Sequence, residues 1–147
     1  MNSSYYRWAA VILLLLATTI AYSPLKDSEF FDVDDDVYIT ENPWIQQGLN
    51  LNSISWAMTS FRQGVWNPLT WISFMLDYQL FGLNPAGYHL TNVLLHLGSV
   101  LLLLGVLCRM TGAFWPSFLV AALFALHPLN VESVAWVTER KNVLSTL

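Results

Sequence analysis

The feature that most constrains this chain is the lack of any Asp, Glu, Lys or Arg in three apolar stretches, Trp8 to Leu25, Tyr88 to Cys108 and Thr111 to Leu126. About 20 predominantly apolar residues suffice for a helix to cross the hydrocarbon of a bilayer. The chain is therefore expected to be an all-α, polytopic membrane protein with spans at about 8–25, 88–108 and 111–126. Tyr5, Tyr6 and Trp8 suit the headgroup level beside the first span. Arg109 stops the second. His127-Pro128 ends the third, because proline donates no helix hydrogen bond and turns the residue before it away from helix. A cleaved signal peptide, with Arg7 as its basic region and Thr19-Ile20-Ala21 as its cleavage site, is the rival reading of the first stretch. An uncleaved helix is preferred, since the later spans hold the chain in the membrane in any case. Composition agrees: 55% of the residues are hydrophobic and 11% charged, against ~25% charged in soluble domains.

Arg7 and Arg109 flank helices on one side, and Lys/Arg excess marks the cytoplasmic side. The N-terminus is thus expected inside and the loop from Lys26 to Gly87 outside. Arg140 and Lys141 then fall outside against that rule, which gives these two cations a local job. The net charge of −4 is itself local, because seven of the ten acids lie between Asp27 and Glu41. No basic cluster is longer than the Arg140-Lys141 pair, so nucleic acid is excluded as a partner. A single cysteine, Cys108, rules out an internal disulfide. Residues Asn142 to Leu147 open an apolar run with no stop signal, so the chain reads as the N-terminal part of a larger membrane domain.

The outer loop is too long for a plain connector. Spacing of Ile54, Met58, Phe61 and Val65 predicts a helix over 53–65, capped by Asn52 or Ser53. Asn67-Pro68 reads as N-cap and first position of a second helix over 68–81, with Gly82 as its stop. Both are too short to span. Carrying Trp56, Trp66 and Trp71, they are expected to lie in the membrane interface.

Three groups of residues carry chemistry. The run Phe31-Asp32-Val33-Asp34-Asp35-Asp36-Val37-Tyr38 crowds carboxylates just beyond the first span. Such crowding raises the pKa of at least one member unless a cation shares the site, which makes a general base or a metal ligand set. A solvated acidic loop is the plain alternative, and the apolar flanks Phe31, Val37 and Ile39 weigh against it. At the outer end of the third span, His127, Asn130 and Glu132 place an imidazole, an amide and a carboxylate at the membrane edge. Glu139-Arg140-Lys141 follows, where a guanidinium can grip phosphate in a fork and an ammonium adds a point charge; a helix-ending His-Pro with a surface charge cluster is the alternative. On the second span His89, Asn92, His96 and Ser99 recur at three and four residues and share a face. An inward hydrogen-bonding stripe is preferred there to a metal site.

Taken together, Asp34-Asp35-Asp36-Val37-Tyr38-Ile39-Thr40-Glu41-Asn42-Pro43, Trp66-Asn67-Pro68-Leu69-Thr70-Trp71, Leu80-Phe81-Gly82-Leu83-Asn84-Pro85, the stretch His127 to Trp136 and Glu139-Arg140-Lys141 resemble bacterial membrane proteins with C-terminal tetratricopeptide repeats. Those are similar to the animal transmembrane-and-tetratricopeptide O-mannosyltransferases. The resemblance implies a GT-C glycosyltransferase architecture in the bacterial inner membrane, with an acidic catalytic pair and two interfacial helices in the first outer loop. It implies a polyprenyl-phosphate sugar donor, an acceptor hydroxyl on protein or glycan, and contact with membrane lipid. Residue by residue, the acidic pair falls on Asp34 and Asp35 with Asp36 adjacent, and donor phosphate on Arg140 and Lys141; His127, Glu132 and Glu139 are supporting. Members commonly carry His where this chain has Asn67, and another near Phe74. No repeat lies within these residues, and no cofactor is required; a divalent metal bridging Asp34 and Asp36 is not favoured.

On this reading Asp34 or Asp35 takes the acceptor proton while cations stabilise the leaving phosphate. The rivals are a transporter subunit, in which the polar stripe lines a path, and a membrane anchor or scaffold for a repeat domain.

Overall fold

The computed structural model describes residues 3–30 and 34–147. Phe31, Asp32 and Val33, at the front of the acidic run, lie outside them. Among the described residues the regular structure is all helical: α1 (Ser3–Ala21), α2 (Leu51–Thr59), α3 (Pro68–Phe81), α4 (Pro85–Thr111), α5 (Phe114–Leu126), α6 (Leu129–Ala135) and α7 (Arg140–Thr146), with a long connection, residues 22–50, between α1 and α2.

Two segments, Ser4–Asp27 and α4, are long and apolar enough to cross a membrane. α4 packs along α5, and α1 lies against both. Their shared core is Leu14, Val100, Leu104, Ala121 and Ala125. The third apolar stretch differs from the straight span expected at 111–126. Thr111 ends α4, and Gly112 closes that helix in the left-handed conformation, at φ 67°. α5 has 13 residues, a rise of ~20 Å, short of the ~30 Å of hydrocarbon. α6 continues it after a 60° bend, so the two form a broken span or a re-entrant pair.

Proline chemistry explains the bend and the polar stripe together. Pro128 has no N–H for the Phe124 carbonyl, and the N–H of Leu129 turns to His127 Nδ1 at 3.2 Å. Two carbonyls at the end of α5 are thereby freed. The side-chain amide of Asn130 donates to Phe124 O at 2.6 Å, and His96 Nε2 lies 3.1 Å from Ala125 O. A carbonyl only accepts, so Nε2 of His96 carries the proton. Farther along, Asn92 Nδ2 donates to the carbonyls of Val134 and Trp136, each at 3.2 Å. His89, Asn92, His96 and Ser99 are all buried. The stripe faces inward, and two of its members serve the backbone of the broken segment.

A second lobe is built from α2, α3 and the turns before them. Asn50, not Asn52 or Ser53, caps α2. Its Oδ1 accepts from the N–H groups of Asn52 and Ser53, and Ser53 Oγ accepts from Asn50 N at 3.0 Å. The helix ends at Thr59 instead of Val65, because Ser60 is extended and Gly64 takes φ 72°. Trp66 Nε1 then donates to the freed carbonyl of Met58 at 2.9 Å. The second helix has the expected bounds, with Asn67 before Pro68 and Gly82 at its end with φ 62°. Ala57, Trp71, Phe74 and Met75 bury themselves with Tyr38, Ile39, Ile45, Tyr88 and Val137. Full burial of one such aliphatic or aromatic side chain contributes about 1.5–3 kcal/mol. This cluster carries the first turns of the loop onto the start of α4 and the turn before α7.

Candidate functional site

The three acids have different surroundings. Asp36 opens a single π-helical turn, Asp36–Thr40. Its Oδ1 accepts from Thr40 Oγ1 at 2.7 Å, a local use. Asp35 is wholly buried, and its Oδ1 accepts the backbone N–H of Thr138 at 3.1 Å. That bond joins the acidic run to a turn 103 residues away. Asp34 is half-buried, and its carbonyl takes the N–H of Tyr38 at 2.9 Å. His89, on α4, is buried as well.

Tyr38 ties the cluster together. Its ring stacks on Trp71 with 4.8 Å between centroids. Burial pushes its hydroxyl above the ordinary phenol value; Lys141 opposes this, and Asp34 and Glu139 add to it. Lys141 donates to Glu139 Oε1 at 2.7 Å and keeps about a third of its side chain exposed. It also lines a cavity of about 430 Å³ between α2, α3 and α7, together with Met58, Trp66, Asn67, Leu69 and Leu144. The amide nitrogen of Asn67 is buried there without a hydrogen-bond partner among the described residues.

Arg140 has other partners than the phosphate expected for it. Its side chain is fully enclosed. Nη1 lies 2.6 Å from Asp77 Oδ2 and 3.2 Å from Ser73 Oγ, Nη2 donates to Tyr88 O at 2.9 Å, and Nε donates to Asn92 Oδ1 at 2.6 Å. The guanidinium carbon stands 4.6 Å from the centroid of Phe74. With all three nitrogens engaged, no face is open to a ligand. Burial pushes the Asp77 carboxyl above its usual range, and Arg140 and Thr91 pull it back. Asp77 was not among the residues singled out from sequence, although a signal exists: it is the only charged residue between Arg62 and Arg109. A lone acid in an apolar stretch requires a partner.

The remaining candidates are peripheral. His127 is exposed, and its Nδ1 is occupied at the start of α6. Glu132 is exposed on α6, while Glu139 holds Lys141 and the side-chain amide of Asn142. Among the described residues no three His, Cys, Asp or Glu side chains converge as a metal site.

No protein-family model matches this chain, and no solved structure does. Curated proteins do match. The chain is 34% identical over 152 aligned residues to the protein O-mannosyl-transferase TMTC1 of Mus musculus, covering 94% of this chain and 16% of that protein. It is 32% identical over 141 residues to the human protein O-mannosyl-transferase TMTC2, covering 92% and 16%. To human protein O-mannosyl-transferase TMTC4 it is 28% identical over 161 residues, covering 95% and 22%. The chain thus spans about a sixth to a fifth of the length of these relatives. Over more than nine-tenths of its own length, it is homologous to a part of proteins named protein O-mannosyl-transferases.

Proposed function

We propose that this chain forms part of a membrane glycosyltransferase of GT-C type that moves a sugar from a polyprenyl-phosphate donor to a protein Ser or Thr hydroxyl on the extracytoplasmic side. The observation that carries this reading is the bond from Thr138 N–H to Asp35, which sets the acidic run beside the segment bearing Lys141. The names of the relatives agree with the reaction class.

In this reaction the acceptor oxygen forms a bond to the anomeric carbon while the bond from that carbon to the phosphate oxygen breaks. The hydroxyl proton passes to a carboxylate, and polyprenyl phosphate leaves with its charge. Asp35 is the proposed base, positioned by the backbone N–H of Thr138; Asp34 tunes it. Asp36 is bound within its own turn, to Thr40, whereas Asp35 is bound to the segment that carries Lys141. Lys141 takes the phosphate, and the apolar walls Met58, Trp66, Leu69 and Leu144 take the start of the prenyl chain. A cation placed where charge develops stabilises the transition state more than the ground state.

Orientation follows from charge. Arg7 stands over the ring of Phe114 at the start of α5, and Arg109 is in the last turn of α4, so the two lie at one end of the helix layer. That end is proposed to be cytoplasmic. The exposed Leu51, Met58, Phe61, Leu69 and Leu80 of the second lobe then rest on the opposite membrane surface. The test is transfer of labelled sugar from polyprenyl-phosphate mannose to a Ser/Thr peptide by the full-length protein, beside its Asp35→Asn variant. Transfer by the wild type and its loss in the variant are expected. Equal rates in the two would overturn the assignment.

A further inference from the structure

The residue between the proposed base and the proposed phosphate contact is neither of them. Arg140, the first residue of α7, sits wholly buried where α7 meets α3 and α4, with partners from both of those helices. Asn92 joins it to the preceding turn: its Oδ1 accepts from Arg140 Nε, and its Nδ2 donates to the carbonyls of Val134 and Trp136. Two residues beyond Trp136, the N–H of Thr138 holds Asp35. One residue beyond Arg140, Lys141 turns toward Glu139 and the apolar cavity. Segment 134–141 is thereby bolted to α3 and α4 at its centre and presents a donor to the acid on one side and an ammonium on the other.

We propose that the buried Asp77–Arg140–Asn92 network is a strut that sets the distance between Asp35 and Lys141, making Asp77, Asn92 and Arg140 positioning residues for transfer. This rests on the reading of Asp35 and Lys141 given above. A fork fits the task where an ammonium does not, because the planar guanidinium meets acceptors on three sides at fixed angles. Loosening the strut leaves both reacting groups chemically intact and spoils their spacing, and a misplacement of ~1 Å costs on the order of a hundredfold in rate.

The experiment uses the full-length protein with Asp77→Asn, the gentler Asn92→Ala, which leaves the ion pair in place, and Val143→Ala, which loosens α7 on a buried face outside the network. Amide hydrogen exchange and transfer kinetics are measured on each. Expected for both network variants is exchange at Thr138 and across 34–40 faster by about tenfold or more, with α4 and α5 unchanged. At saturating donor, kcat per folded molecule falls by about ten- to a hundredfold. Val143→Ala keeps wild-type kcat per folded molecule. If Asp77→Asn does not fold, Asn92→Ala alone decides. Exchange that rises everywhere, or not at Thr138, overturns the strut. Local exchange with unchanged kcat, while Asp35→Asn is inactive, overturns its link to transfer and spares the site. Local exchange with Asp35→Asn fully active shows that the site reading itself has failed, and the positioning role with it.

Discussion

Arg140 and Lys141 are neighbours in sequence and opposites in place. The first is sealed between α3 and α4 against Asp77; the second keeps a third of its side chain exposed beside Glu139 and a cavity. Successive residues of a helix point about 100° apart, so one turns into the lobe when the other turns out of it. Chemistry then sorts the two. A guanidinium has enough donors to satisfy itself with protein acceptors in the dark, while an ammonium on a flexible stem is better left at a wet edge. A pair of adjacent cations is thus one structural bolt and one accessible charge.

The largest expected effect breaks this comparison directly. Arg140→Ala leaves Asp77 buried and unpaired, and removing one partner of a buried pair costs about 3–5 kcal/mol. Lys141→Ala removes a half-exposed pair whose contribution to stability is about 0–1 kcal/mol. Thermal unfolding of the two variants in detergent should therefore separate them widely, with Arg140→Ala unfolding far earlier. Equal melting temperatures would mean that the two cations share a role.

What sequence made legible was local. Asn67-Pro68 and Gly82 bound α3 because each acts through its own backbone angles, and the stripe on α4 was readable because helical spacing puts its members on one face. The end of α2 is not marked by the pattern, since Phe61 and Val65 keep the helical period, yet both are exposed beyond an extended Ser60. The break at His127-Pro128 was visible, but nothing local told that the helix resumes beyond it. Long-range pairing was the hidden part. Asp35 meets Thr138, and Asp77 meets Arg140, only through the packing of Tyr38, Trp71, Phe74 and Val137 into one core. The acids and cations could be picked out one by one, but which acid faces which cation is set by that core.

Next in size is the acid on the far side of the turn. Asp35→Asn keeps the shape and the acceptor oxygen for Thr138 while losing the base, so turnover should fall ~10²- to 10⁴-fold with donor KM nearly unchanged. Asp34→Asn is its companion, since crowded carboxylates titrate together; a smaller loss there marks Asp34 as the tuning member. Equal, large losses in both would show that the base is the pair.

Lys141→Ala sharpens the comparison from the other side. Loss of one charge-assisted contact costs ~1.5–3 kcal/mol, or about ten- to a hundredfold in affinity. Donor KM should rise by that factor while melting temperature stays put, the reverse of the pattern for Arg140→Ala. An unchanged KM would move the phosphate away from the cavity beside Asn67 and Leu144.

The smallest effect asks whether Lys141 is held ready or held back. Glu139 now occupies its ammonium at 2.7 Å, and a donor phosphate would have to compete for the same hydrogens. A half-exposed pair of this kind is worth about 0–1 kcal/mol, so that is the most Glu139 can withhold from the donor. Glu139→Gln keeps the length and the hydrogen bond to the Asn142 amide but drops the charge. Donor KM should therefore fall, by about fivefold at most, with kcat and melting temperature unchanged. The measurement is initial rate against donor concentration at low ionic strength, where screening of exposed charge is weakest. A rise in KM instead would show that Glu139 aims Lys141 at the phosphate, and that the exposed cation, like the buried one, depends on an acid to hold it in place.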